Sequence, residues 1–104
     1  KSDHVAAAAL WISAAQMHRN VGSAIDARRC LEKALQCDPD SYAAHSASVS
    51  EGLAVADYAA AEEHARWCLQ RRPNDAMMAK RLCEALKGRL ENERRASAAK
   101  EHLR

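Results

Sequence analysis

His64 and Cys68 stand four residues apart, a spacing that on a helix sets an imidazole beside a thiol. That arrangement suits paired metal ligands, or a cysteine nucleophile with its base. No third or fourth ligand type follows at matching spacing, and Cys68 falls on the apolar stripe of its segment. Core packing is therefore the reading for both. The 4 cysteines, Cys30, Cys37, Cys68 and Cys83, contain no C-x-x-C pair. All lie within expected helices, which points to free thiols in a reducing interior compartment, cytoplasmic or nuclear. His18 and His45 read as packing residues. Asp3, Asp26, Glu62 and Glu63 fall on outward faces or at helix starts, not as a converging acid pair. Gly22, Gly52 and Gly88 are scattered and make no phosphate-cradling loop. The expectation is a non-catalytic chain, with no metal and no cofactor.

The elements that carry these residues are helices. The chain has 104 residues and is 48% apolar, but 24 of its residues are alanine, Phe and Thr are absent, and Val and Ile number only six together. Ala, Leu, Arg, Glu and Lys favour helix nearly everywhere, and small side chains let helices pack closely. The class is all-α. The formal charge of +2 is too small to call for nucleic acid by itself. Its distribution is uneven: residues 1–70 hold 6 Lys/Arg against 9 Asp/Glu, and residues 71–104 hold 10 against 5. The basic part carries no aromatic residue, so a solvated helix face is favoured over a nucleic-acid surface. The longest apolar run, Val5 to Ile12, is too short to span a membrane.

A first helix is expected from Asp3 to about Asn20, with Ser2 or Asp3 as its cap and Trp11, Ala14, Ala15 and His18 on one stripe. Gly22 supplies the turn, and Ser23 caps a helix from Ala24 to Cys37 that buries Ala27, Leu31, Ala34 and Leu35. Pro39 stops it. Ser41 then caps Tyr42 to Ala54, with His45, Ser48, Val49 and Gly52 inward. Ala56-Asp57 forms the next turn, and Tyr58 to Arg71 buries Ala61, Ala65, Cys68 and Leu69 before Pro73. A third round runs from Ala76 to about Lys87, with Ala79, Leu82, Cys83 and Leu86 inward. Gly88 weakens that helix, and a sixth helix is expected from about Glu91 to Leu103. Pro73 repeats Pro39 at a spacing of about 34 residues, a period that marks stacked supersecondary units.

With these residues in place, the chain resembles three tetratricopeptide repeats. Trp11, Ala14, Ala15 and His18 fill the first-helix slots of that family's pattern, and Ala27, Leu31, Ala34 and Pro39 the second-helix slots. His45, Ser48, Val49 and Gly52, then Ala61, Ala65, Cys68 and Pro73, do so in the second unit. Arg95 departs from the pattern where a small residue is expected. The repeats would span about 8–41, 42–75 and 76–104 of one domain, with residues 1–7 extending the first helix. The resemblance implies a right-handed α-solenoid of three hairpins and a protein-interaction scaffold whose first helices line a concave groove. The groove residues would be Ile12, Gln16 and Arg19, then Ser46, Ser50 and Leu53, then Met77, Lys80, Arg81, Glu84 and Lys87. Ile12, Gln16 and Met77 stand where carboxylate-clamping relatives carry Lys or Asn, and only Arg81 agrees, so that clamp is not expected. The implied partner is a protein or peptide. Alternatives are an RNA or anionic ligand on the basic C-terminal third, or self-association through bare terminal hairpins. Trp67 is a candidate for a second, convex contact, weighed against packing over the next hairpin.

Overall fold

Four of the expected helices form within a residue or so of their expected bounds. The computed structural model describes residues 2–102. It places α1 at Ser2–Asn20, α2 at Ala24–Cys37, α3 at Tyr42–Ala54, α4 at Tyr58–Arg71 and α5 at Ala76–His102. No strand occurs among the described residues. Asp3 lies inside α1, not ahead of it. Ser41, Asp57 and Asp75 each cap a helix by accepting the backbone N–H three residues on, at 3.1, 3.2 and 3.1 Å. Ser23 departs from expectation. It holds the cap position of α2 but makes no side-chain cap bond, and its hydroxyl donates instead to Asp26 Oδ2 at 2.6 Å.

The turns of the two hairpins match in detail. Gly22 has φ +80°, and Ala56, its counterpart in the second hairpin, has φ 60°. At both turns the next N–H donates back to a carbonyl five residues earlier, Ser23 to His18 and Asp57 to Gly52, each at 2.8 Å. This is the hydrogen-bonded helix ending that requires a left-handed residue. The proline turns match as well. Asp38 and Arg72 close α2 and α4 by donating to Ala34 and Cys68, both at 2.9 Å, and Pro39 and Pro73 follow.

The helices pack in chain order. α1 lies along α2, α2 meets α3, α3 lies along α4, and α4 along α5, with lighter contact of α1 to α3 and of α3 to α5. The molecule measures 57 × 32 × 20 Å. Its core is built mainly from alanine, with Ala8, Ala15, Ala27, Ala34, Ala44, Ala61, Ala65 and Ala85 all buried. The largest fully buried side chains are only Met78, Val49 and Cys68. Each buried methyl contributes on the order of 1 kcal/mol. Stability here therefore rests on many close helix contacts, not on a few large anchors.

The third unit corrects the sequence reading. Among the described residues five helices are present instead of six, because α5 runs through Gly88 without a break. Leu103, expected to end a sixth helix, lies outside the described residues. Gly88 is not a weak point but a contact. A Cβ there would drive into the Tyr58 ring, which lies flat against the helix. With no helix folding back, the face that α1 and α3 bury on their return helices stays bare on α5. Ala79 and Cys83, expected inward, are both exposed, while Met78 and Ala85 are buried toward the preceding hairpin. Leu82 and Leu86 are half-buried.

Candidate functional site

Three of the expected groove residues converge on one cleft. Ile12, Gln16 and Arg19 of α1 face Ala47 and Glu51 of α3 across a depression of about 20 Å³, room for one water. Its floor is electrostatic. Glu51 is 4% exposed, and Arg19 Nε reaches its Oε2 at 3.0 Å. A carboxylate so removed from water is tolerated because the guanidinium is beside it. Arg19 therefore acts as a strut between α1 and α3 as well as a wall residue. Glu51 was missed by sequence reasoning. Its only signal was being the sole acid in α3, YAAHSASVSEGLA.

The remaining groove candidates divide. Ser46, Ser50 and Leu53 share one side of α3 by their spacing and are all half-buried. Leu53 packs on the cluster of Val49, Ala65, Cys68 and Met78. Met77, Lys80, Glu84 and Lys87 are exposed on α5, and Arg81 is half-buried. α1 and α5 do not touch. The candidates thus form a strip across three helices and not a closed pocket.

A larger cleft lies elsewhere. About 100 Å³ opens between α2, α3 and α4, lined by Arg28, Leu35, Glu51, Val55 and His64 among others. Arg28 also pairs with Asp57, the α4 cap. That guanidinium, with the Ala60 N–H, holds the Asp57 carboxyl below the usual carboxylate range. Farther along α4, Arg66 and Arg89 together hold Glu62 below that range too. Arg89 thereby ties α5 to α4.

The reactive-looking pair comes apart. His64 Nδ1 lies 2.9 Å from His45 Nδ1, so the imidazole is engaged across α3 and α4 instead of with Cys68. Cys68 is fully buried, and burial pushes its thiol up, which makes a thiolate harder to form. All four cysteines are free. No group of three or more His, Cys, Asp or Glu that could hold a metal occurs among the described residues. Trp67 is half-buried and stacks on His45 with centroids 3.6 Å apart, while Arg71 lies 3.6 Å over the same ring. Two groups that close must take opposite faces, so the indole pads the α3–α4 packing and leaves no bare ring face. No helix among the described residues is long and apolar enough to cross a membrane.

No family model matches the chain, and no curated protein or solved structure matches it either.

Proposed function

We propose that this chain is a tetratricopeptide-like right-handed solenoid that works as a non-catalytic scaffold. A peptide or helix of a partner protein would lie along α1, α3 and α5. The observation that carries this reading is the recurrence of hydrogen-bonded turns at one fixed period, the same at Gly22 and Ala56 and again at Asp38 and Arg72. Recurrent hairpins stack side by side, and their first helices form one continuous face. That face here is mixed: Ile12, Leu53 and Met77 offer apolar contact, and Gln16, Ser46, Ser50 and Lys80 offer polar anchors. The third unit contributes its first helix only. The test is a peptide-display selection on the wild-type chain, repeated on Ser50→Arg with Lys80→Glu. Loss of the selected peptides by the double variant supports the face, and equal recovery overturns it.

A second reading, self-association, has its own support at the first hairpin. Leu10, Met17, Val21 and Ile25 are 73%, 70%, 79% and 71% exposed. Leu10 and Met17 are the counterparts, one repeat earlier, of Ala44 and Glu51, which α3 buries. The corresponding face of α1 has no neighbour among the described residues. Sedimentation equilibrium decides it: a monomer at high concentration removes this reading.

A further inference from the structure

His45 and His64 face each other from α3 and α4, and the environment of His45 fixes where the protons sit. His45 Nε2 lies 2.8 Å from the Pro39 carbonyl oxygen. A carbonyl only accepts, so Nε2 carries a hydrogen and donates it. In the neutral ring His45 Nδ1 is then a lone pair. The hydrogen in the 2.9 Å bond between the rings belongs to His64 Nδ1. One tautomer of each ring satisfies both bonds, and His64 Nε2 remains as the place for the next proton.

A first proton on His64 Nε2 leaves both bonds intact. A second would have to enter at His45 Nδ1, where it meets the His64 N–H head-on and sets two cations in hydrogen-bond contact. Trp67 by itself would attract a charged His45, but Arg71 already lies over the same indole and opposes a second cation there.

The surrounding charges do not relieve the conflict. From α2, Arg28 disfavours a charge on His64; Asp57 in the α3–α4 turn and Glu63 on α4 favour it. Glu32 of α2 and Glu51 of α3 line the cleft that His64 borders, with Glu51 already held by Arg19. Beyond Trp67, Arg72 covers Tyr42, whose hydroxyl donates to Asp75 at the start of α5 at 3.0 Å. The net result is that burial first, and the positive charge of a protonated His45 second, hold His64 below the ordinary imidazole range.

We propose that the His45–His64 bond is an acid-released latch, closing α4 on α3 while the pair carries at most one added proton and opening when the pair takes up a second. Through the Pro39 carbonyl the same latch holds α3 to the turn behind it. It stands on the two rings and their partners, whether or not the α1–α3–α5 face binds a partner. A group whose folded value is depressed contributes fully above its unfolded value, here about 6.5. That contribution is lost as pH falls through the lower folded value. The caps Asp57 and Asp75 are also depressed, by Arg28 and by the Met78 N–H respectively. Their contributions persist until pH falls below about 4, so the two acid steps are separable.

The experiment is an NMR titration of the imidazole Hε1 signals in the wild-type chain, with urea unfolding followed from pH 7.5 to 5. The folded pair is expected to take up one proton, on His64, and the unfolded chain two. The unfolding constant then rises by about tenfold per pH unit where that difference is one proton. In His64→Gln the amide can turn over and present its carbonyl oxygen to a protonated His45 Nδ1, so no two donors meet head-on and the pH slope should flatten. Both rings taking up protons independently while the chain stays folded would overturn the latch, as would a wild-type slope in His64→Gln. If that variant does not fold, the wild-type titration decides alone.

Discussion

Ala56→Gly should make this protein more stable, although it removes a methyl group. Ala56 sits at φ 60°, left-handed backbone that an L-residue adopts at a cost of about 1–2 kcal/mol. Glycine takes that conformation freely, as Gly22 does in the equivalent turn at φ +80°. Part of the gain is returned, because glycine gives the unfolded chain about 0.4–1 kcal/mol more entropy to lose. The balance is a gain of roughly 0.5–1 kcal/mol, which for a chain near 100 residues raises Tm by about 2–6 °C. Helical circular dichroism on heating reads it directly. The reciprocal Gly22→Ala isolates the cause, since a Cβ at Gly22 meets nothing within 4 Å. Any loss there is backbone strain and not collision, and it should be of similar size. A Tm that falls or stays put in Ala56→Gly would mean that the second turn is not left-handed. The equivalence of the two hairpins would go with it.

Gly88→Ala should do the opposite. Alanine adds about 1 kcal/mol of helix propensity, but its Cβ collides with the Tyr58 ring, and overpacking costs about 1–3 kcal/mol. A net loss in urea unfolding is expected, and Tyr58→Ala in the same chain should turn Gly88→Ala favourable. Arg19→Ala leaves the Glu51 carboxylate buried without its partner and should cost about 1–3 kcal/mol. The double variant Arg19→Ala with Glu51→Leu should recover most of that, and additive losses would show that the pair is not coupled. In the native chain, thiol labelling should modify Cys83 first and Cys37 more slowly, while Cys30 and Cys68 stay protected. Protection of Cys83 would show that a sixth helix covers α5 after all.

What could be read from the sequence was what is local. α2, α3 and α4 begin and end where expected because Ser41, Asp57, Gly22, Pro39 and Pro73 act on their own turns. Most of the stripe residues expected on α2 to α4 are buried, whereas on α1 only Ala15 is, and Ala8, Cys30, Ala44 and Glu51 are buried outside the expected sets. What could not be read were pairings between helices. Arg19 of α1 meets Glu51 of α3, His45 of α3 meets His64 of α4, and Gly88 of α5 is shaped by Tyr58 of α4. No periodicity carries such contacts. The inward face of α5 differs from expectation for the same reason: that expectation presumes a return helix, where α5 instead runs on. The groove set inherits that dependence. Its α1 members meet in one cleft with Glu51, whereas its α5 members stand on a helix with one packed side.

α5 runs straight instead of folding back, and the positions where a third turn of the same period would fall carry unsuitable residues. One further period beyond Gly22 and Ala56 falls on Leu90, a γ-branched side chain that would have to take the left-handed turn. One further period beyond Ala27 and Ala61, both essentially buried, falls on Arg95, whose guanidinium would have to enter an alanine-sized gap without a partner. Either change costs more than a surface ion pair returns. The straight helix avoids both. It leaves Leu90 65% exposed and lets Glu91 pair with Arg94 at 3.1 Å and Arg95 at 3.6 Å. Those exposed pairs add only about 0.3–0.5 kcal/mol each. The straight form is thus favoured chiefly by what closing would require, and residues 91–102 are held by little else than their own helix.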